Sequence, residues 1–264
     1  MKIFRRSTTK PKAAEQTAKV PAEVDTDQII RSLKEQTRTL NNAITGIRKQ
    51  LEHQPYVVAE LMRRYEYLID SPMPMPVLGA NWAAIAPTVL FIVDEVLGRD
   101  GRRTMLECGS GASTLWTAAA LRKCGEGHVT SVEHDSAFAE ATRQRLADHG
   151  LEEWATVVDA PLVDTDVAGL GSRQPWYDLS GLGDLAEVDL LFVDGPPRPT
   201  ASLARYPALE QLLPRLAKGA LVVLDDTNRK DERDIIRLWT AEGAFDRRVT
   251  FVKDVARSTV LEID

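Results

Sequence analysis

The feature that most constrains the fold is an alternation of short apolar segments with amphipathic ones that begins near residue 104. Unbroken apolar runs such as LLFV and LVVL predict a parallel sheet covered by helices on both faces. The last two short strands have no helix between them, which predicts a hairpin and an antiparallel strand in that sheet. The predicted strands are TMLEC, HVTSVE, ATVVDA, VDLLFVD and ALVVLDD, with two more at residues 246–253 and 256–263. The predicted helices cover residues 113–123, 136–149, 200–217 and 231–242. A polar loop is predicted after the third strand. The fold class is therefore α/β, doubly wound, with a mostly parallel seven-stranded sheet.

The residues before this alternation predict a helical extension. Over residues 24–53, side chains alternate spacings of three and four residues, as in a coiled-coil seam; they are Ile30, Leu33, Thr37, Leu40, Ile44, Ile47 and Leu51. Two interpretations stay open: a helix that joins copies of the chain into a homo-oligomer, or one that packs on its own domain. A second helix over residues 57–68 precedes DSPMPMPV, whose prolines predict a hinge or an extended segment.

The predicted organisation is a disordered basic tail over residues 1–23, the helical extension over 24–75 and one large domain over 76–264, with an apolar helix from about residue 83 to 97.

Charge and composition exclude several classes of protein. The net charge is −6, but the first 20 residues hold six basic side chains against one acidic, so the remainder is near −11 and matches nucleic acid poorly. No apolar run reaches the ~18 residues that a membrane span needs. Cys108 and Cys124 support neither a disulfide framework nor a thiolate zinc site, so we expect buried, reduced thiols in a cytosolic (cytoplasmic) protein.

The stretch LECGSGAST, residues 106–114, is predicted to form the turn between the first strand and its helix. Gly109 and Gly111 would let the chain bend tightly and let a ligand approach the backbone, and Ser113 or Thr114 could cap the helix. Such a loop is weak evidence by itself. Glu107 at the strand end would repel a pyrophosphate and suit a cationic ligand, which argues against NAD.

Two further acids indicate what the ligand contains. Glu133 ends the second strand about twenty residues after the loop, where an acid can bind both ribose hydroxyls. Asp159 ends the third strand and could face an adenine edge. A ligand with ribose, adenine and a positive group describes S-adenosylmethionine, although each acid taken singly could cap a helix or solvate a strand end.

Over residues 76–264 the chain resembles the class I S-adenosylmethionine-dependent methyltransferases. The matching segments are LECGSGAST, VTSVEHD, VVDA, DLLFVDGPPR and GALVVLDD, in the order of that family. The resemblance implies a Rossmann-like fold, and the residues predicted to bind the cofactor are Glu107, Gly109, Ser110, Gly111, Ser113, Thr114, Glu133, His134, Asp159, Ala160 and Asp194.

Three carboxylates, of Asp194, Asp225 and Asp226, follow the fourth and fifth strands and are predicted to converge on the acceptor side of the crevice. Oxygen ligands of this kind suit Mg²⁺ or another divalent cation, which could activate an acceptor hydroxyl. The pattern is similar to that of catechol-type, metal-dependent O-methyltransferases. That family has Asp-Asn after the fifth strand, and it has a basic Lys where this chain has Pro197 followed by Arg198. Asp194 and Arg198 are the predicted catalytic residues. Because Arg cannot accept a proton, Asp194 or the metal would replace the missing base. The alternative is that the three acids only cap helices and solvate loops.

The segment DGPPR also invites comparison with the Asp-Pro-Pro-aromatic motif of nucleic-acid amino-methyltransferases, but Gly195 and Arg198 break the match. Together with ECGSG it resembles small-molecule and sugar methyltransferases, which implies a sugar or other small-molecule hydroxyl as acceptor. Acceptor contacts are predicted from LGANWAA, residues 164–183 and TNRKDER, through Trp82, Trp176, Arg198, Arg229 and Lys230. Ordinary surface or lid packing is the simpler explanation for any one of them.

The predicted function is transfer of a methyl group from S-adenosylmethionine to such a hydroxyl, with possible metal assistance. Two rivals stay open: an N-methyltransferase, and a binding or scaffold protein that keeps the fold and perhaps the cofactor but has no turnover.

Overall fold

The computed structural model describes residues 30–31, 33–41, 59–60, 63, 67–68 and 83–264. The chain divides into two compact units, Met1–His53 and Gln54–Asp264. Within the described ranges, no helix has both the length and the apolarity to cross a bilayer. Both cysteines are free, with Cys108 buried and Cys124 partly buried.

Strands and helices alternate over residues 83–264, as the sequence predicts. The elements are α1 (Ala86–Leu97), β1 (Thr104–Cys108), α2 (Ala112–Cys124), β2 (His128–Glu133), α3 (Ser136–Asp148), β3 (Ala155–Asp159), β4 (Leu162–Val167), β5 (Ser172–Tyr177), β6 (Val188–Val193), α4 (Pro207–Leu212), β7 (Leu216–Leu224), α5 (Lys230–Trp239), β8 (Val249–Val255) and β9 (Ser258–Ile263). Short 3₁₀ turns cover Ala168–Leu170, Leu179–Leu182, Arg198–Thr200 and Leu213–Arg215.

Seven strands form one sheet in the order β3-β2-β1-β6-β7-β9-β8. All neighbours are parallel except β9, which runs antiparallel to both β7 and β8. The predicted mostly parallel sheet with a closing hairpin is therefore confirmed. The strand order reverses between β1 and β6, and in open α/β sheets the ligand crevice lies outside the carboxyl ends of the strands at that point.

Apolar side chains from both faces of the sheet are buried, which explains why the strands read as unbroken apolar runs. On β6, Leu190 and Phe192 pack with residues of α1, α2 and α3 in one core cluster. Leu191 and Val193, which alternate with them, pack in a second cluster with α4, α5 and the β4–β5 hairpin. Each fully buried Leu or Val side chain contributes about 1.5 to 3 kcal/mol, so covering both faces stabilises the sheet on which the site is built.

Two predicted elements differ from the structure. The residues after β3 form an antiparallel β4–β5 hairpin where a polar loop was predicted. The predicted helix over 200–217 is confined to Pro207–Leu212, and β7 begins at Leu216. Proline explains the shortening, because Pro207 fits the first helical turn while Pro214 has no N–H to continue the ladder.

The predicted seam helix is only partly described. Residues 33–41 are helical, and Ile30, Leu33 and Leu40 are 43%, 55% and 63% exposed. The structure does not describe the later seam residues, which are Ile44, Ile47 and Leu51. Most of the predicted helix over 57–68, the DSPMPMPV segment and the basic tail also lie outside the described residues. The coiled coil, the homo-oligomer and the three-part organisation of the chain stay predictions.

Candidate active site

The glycine loop joins β1 to α2 at the point where the strand order reverses. Gly109 has a φ of +96°, a left-handed conformation that a side chain would strain, and its N–H donates to the Val132 carbonyl oxygen at 2.9 Å. A Cβ added at Gly111 would meet no heavy atom within 4 Å. The loop therefore presents accessible backbone at the carboxyl ends of β1 and β2.

Glu107 of β1 is 3% exposed and supports the start of α2. Ser113 and Thr114, in the first turn of that helix, donate hydroxyl hydrogen bonds to its two carboxylate oxygens. Burial raises the pKa of Glu107 to about 7, although these hydroxyls oppose the shift. The carboxyl is therefore only partly ionised near neutral pH, so it repels a pyrophosphate less than a full charge would. Its contact with a cationic ligand stays a prediction.

Glu133 ends β2 and reaches across to the glycine loop. Its Oε2 accepts a hydrogen bond from the Ser110 N–H at 2.9 Å, and its Oε1 accepts one from the Asp135 N–H at 3.0 Å. The Nδ1 atom of His134 lies 2.9 Å from Oε1. The structure thus brings three predicted cofactor residues, Ser110, Glu133 and His134, together beside the loop.

Asp159 is paired with Glu133 in register on the neighbouring strand. Its carboxylate is 55% exposed and accepts a charged hydrogen bond from Arg143 of α3 at 2.6 Å. The neighbouring Ala160 is buried, and its N–H donates to the Glu133 carbonyl oxygen at 2.7 Å. The end of β3 therefore reaches the site through Ala160, while the Asp159 carboxylate forms a surface ion pair.

The β4–β5 hairpin supplies a site residue that the sequence interpretation missed. Tyr177, at the end of β5, is 2% exposed, and its hydroxyl has no hydrogen-bond partner. That hydroxyl lies over Gly195, where an added Cβ would come within 2.1 Å of it. Burial, together with the nearby Cys108 and Glu133, raises the pKa of the phenol, so it remains protonated. The only sequence signal was an aromatic pair, Trp176 and Tyr177, inside a segment interpreted as a polar loop.

The prediction that Trp176 stacks on an acceptor is wrong for this structure. Trp176 is fully buried in the core cluster that contains α4 and α5. Its ring packs edge-on against Tyr177, with the ring centroids 5.0 Å apart. Because strand side chains alternate between the two faces of a hairpin, Trp176 faces this core and leaves no ring face free for a sugar.

The acidic cluster predicted from the sequence is present. One carboxylate oxygen each from Asp194, Asp225 and Asp226 lies within 4.8 Å of the others. Asp194 follows β6 and Asp225 follows β7, and the parallel pairing of these strands brings them to the same edge. Asp226 has a φ of +61°, a left-handed conformation that Asp tolerates better than most residues.

The donor atoms of this cluster do not fit a divalent cation, because guanidinium groups bind them. Arg205 is 4% exposed, and its Nη2 lies 3.2 Å from Asp194 Oδ1 and 3.1 Å from Asp226 Oδ2. Arg257 Nη2 lies 2.9 Å from Asp225 Oδ2, and Arg229 Nη1 lies 2.8 Å from Asp226 Oδ2. Three acids thus face three arginines, none of which the metal prediction had considered in this role.

The other predicted acceptor residues that the structure describes form ion pairs with acidic side chains of this chain. Arg198 is 61% exposed, and its nearest acidic partner is Asp231 at 3.7 Å. Arg229 belongs to the ion-pair cluster, and Lys230 pairs with Asp234 at 2.5 Å. Trp82 lies outside the described residues.

Comparison with known proteins identifies the domain that carries this site. A family model described as a methyltransferase domain matches residues 106–227, from the glycine loop through the acid pair after β7. This matched segment is somewhat less than half of the chain and is similar to methyltransferase domains. The match agrees with the resemblance that the motifs indicated, and the strand order confirms the predicted doubly wound fold.

Solved structures of similar architecture include three methyltransferases. The O-methyltransferase TomG from Streptomyces achromogenes, involved in tomaymycin synthesis and solved with S-adenosylmethionine, is 20% identical, with coverage of 70% of this chain and 81% of its own and a TM-score of 0.47. The O-methyltransferase from Bacillus cereus, in complex with S-adenosylhomocysteine, is 16% identical, with coverage of 78% and 89% and a TM-score of 0.45. A methyltransferase from Geobacter sulfurreducens is 18% identical, with coverage of 78% and 88% and a TM-score of 0.46. No curated protein sequence matches the chain.

The residues around the glycine loop fit S-adenosylmethionine. The open backbone at Gly111 admits close approach, Glu133 offers carboxylate oxygens to ribose hydroxyls, and the orphaned Tyr177 hydroxyl lacks a partner inside the fold. When bound, S-adenosylmethionine supplies a methyl group on a positively charged sulfur. The residues at the ends of β1 and β2 would hold the cofactor, and Asp194 follows the neighbouring strand β6.

Proposed function

We propose that this methyltransferase transfers the methyl group to a hydroxyl oxygen of a small molecule, of which a sugar or polyol is the preferred class. The observation that carries the proposal is the position of Asp194. It follows β6 directly beside the glycine loop, since its backbone carbonyl carbon lies 3.6 Å from where a Cβ of Gly109 would be. A carboxylate at this place can take the proton that an alcohol loses as its oxygen attacks a methyl group.

Asp194 has the electrostatic properties of a general base. Burial raises its pKa well above the ordinary range, with Arg205 opposing that shift and Asp225 and Asp226 adding to it. A carboxylate whose pKa is raised accepts a proton more readily than an exposed one. The side chain keeps 13% of its surface exposed, so an acceptor can reach it.

In the proposed reaction, the acceptor O–H proton passes to the Asp194 carboxylate as a new C–O bond forms and the C–S bond breaks. The sulfur keeps the electron pair of the broken bond and becomes the neutral thioether of S-adenosylhomocysteine. In-line displacement of this kind depends mainly on holding the oxygen against the methyl carbon.

The net negative charge of the chain supports a small acceptor over nucleic acid. Outside its first 20 residues the charge is near −11, which disfavours a polyanion.

The test uses the full-length protein, S-adenosylmethionine with a labelled methyl group, and a panel of sugars, nucleotide sugars, polyols, phenols and amines. We expect a product methylated on oxygen. Asp194→Asn should lower kcat by about 100-fold or more, which is the usual contribution of a positioned base, while calorimetry shows that S-adenosylhomocysteine still binds. Asp148→Asn, at the exposed carboxyl end of α3, is the matched control.

Three results would contradict the proposal. A product methylated on nitrogen would remove the assignment of a hydroxyl acceptor. Full turnover in Asp194→Asn would remove the base. Cofactor binding without turnover on any acceptor would favour a scaffold that keeps the fold.

A further inference from the structure

The acids at the ends of β6 and β7 are held by a guanidinium network that reaches into the backbone. Arg205 Nη2 donates to the Asp194 carbonyl oxygen at 2.7 Å, and its Nη1 donates to the Asp225 carbonyl oxygen at 3.0 Å. The same Nη2 lies 3.2 and 3.1 Å from the carboxylates of Asp194 and Asp226. One buried nitrogen therefore stands between the two carboxylates that a shared cation would bridge.

The carboxylate oxygens of Asp225 and Asp226 are also engaged. Asp225 is fully buried and accepts from Arg257 Nε at 3.2 Å, Arg257 Nη2 at 2.9 Å and Ser258 Oγ at 2.7 Å. Asp226 Oδ1 lies 3.4 Å from Arg257 Nε. Mg²⁺ requires oxygen ligands about 2.0–2.1 Å away in a nearly octahedral arrangement. Oxygens that already accept from planar, fixed donors cannot turn to form that arrangement without breaking these pairs.

The cluster already contains positive charge from guanidinium groups. Three carboxylates face the guanidinium groups of Arg205, Arg229 and Arg257. Burial lowers the pKa of Arg205, but Asp194, Asp226 and the other nearby acids raise it by more, so the group remains a cation. A divalent ion placed between these carboxylates would be repelled by Arg205.

We propose that Arg205 takes the place of a divalent cation, so that this enzyme holds its acidic cluster and positions Asp194 without binding a metal. The proposal rests on the methyltransferase assignment and changes the expected mechanism, since the acceptor is activated by Asp194 alone. Arg205 is a positioning residue: it binds the main chain and the side chain of Asp194 from the interior of the protein.

The first test measures metal binding and needs no acceptor. Chelator-treated full-length protein is titrated with Mn²⁺, with and without S-adenosylhomocysteine, and the free ion is followed by electron paramagnetic resonance. We expect the free signal to match that of buffer. One bound ion per chain that is lost in Asp194→Asn, while this variant still binds S-adenosylhomocysteine, would overturn the proposal. Calorimetry of S-adenosylhomocysteine in chelator reports the cofactor site separately, so a failure of the methyltransferase assignment is distinguishable.

The second test removes the cation. Arg205→Met leaves Asp194 and Asp226 without their shared partner, and we expect Mn²⁺ affinity at least about tenfold above that of the wild type. The gain should disappear when Asp226→Asn is added. Arg122→Met is the matched control, because Arg122 donates to the His149 and Leu68 carbonyl oxygens and touches none of these acids. A folded Arg205→Met with wild-type Mn²⁺ affinity would show that Arg205 does not stand in the ion's place.

Discussion

Replacing Glu107 by Gln tests how burial controls ionisation beside the glycine loop. In the folded chain the pKa of Glu107 is about 7, against an ordinary value of 4.5. The fold therefore favours the protonated form, and stability from this group is full at low pH and is lost as the pH rises toward 7. At about 1.4 kcal/mol for each pH unit, the whole difference is worth about 3 kcal/mol. Gln resembles the protonated acid, since it offers one acceptor and one donor to Ser113 and Thr114, and it does not titrate.

The assay is urea unfolding of wild type and Glu107→Gln at pH 5 and pH 8. Over this interval we expect the wild type to lose about 2 to 3 kcal/mol relative to the variant. Glu140→Gln is the control, because the Glu140 side chain is 72% exposed and its replacement should leave the pH dependence of wild type unchanged. If wild type and Glu107→Gln keep a constant difference in unfolding free energy between pH 5 and 8, the burial argument for Glu107 is wrong.

Three further predictions concern packing and capping. Gly195→Ala should destabilise the fold by about 1 to 3 kcal/mol, because its Cβ would lie 2.1 Å from the Tyr177 hydroxyl oxygen. Adding Tyr177→Phe should recover most of that loss in thermal unfolding. If the losses of stability from the two substitutions simply add, this contact is not the cause. Asp225→Asn should cost about 3 to 5 kcal/mol in urea unfolding, since it removes the buried carboxylate that is the closer of the two acidic partners of Arg257. A loss equal to that of the exposed control Asp148→Asn would refute the pairing. Asp135→Ala should cost about 1 kcal/mol in thermal unfolding, because the Asp135 carboxylate accepts from the Ala137 and Phe138 N–H groups at the start of α3. An unchanged stability in this variant would show that Asp135 does not act as a helix cap.

The sheet was predictable because its determinants are local and repeat along the chain. Each strand is a short apolar run between turn residues, and burial on both faces requires that pattern whichever neighbour the strand finally pairs with. The same locality made the glycine loop, Glu133 and the three acids predictable. Residues at the carboxyl ends of parallel strands meet at one edge, so their convergence followed from the fold class before any contact was known.

The partners of those acids depend on the tertiary structure. Arg205 is 11 residues from Asp194 and 20 from Asp225 along the chain, and nothing in its local sequence distinguishes it from a solvated helix residue. Packing buries it, and a buried guanidinium must find acceptors. For the same reason, the burial that raises the pKa of Glu107 could not be derived from its position at a strand end.

The hairpin after β3 also depends on long-range packing. Residues 162–177 contain Asp164, Asp166 and Pro175, and these polar or strand-breaking residues predict a loop. A strand pair at a surface needs only one buried face, which Val167 and Trp176 supply by packing into the core beside α4 and α5. The amino-acid sequence by itself determined the order of strands and helices and the chemistry at the strand ends. Long-range packing decided which charges are paired, which aromatic rings are buried, and hence what the acid cluster can bind.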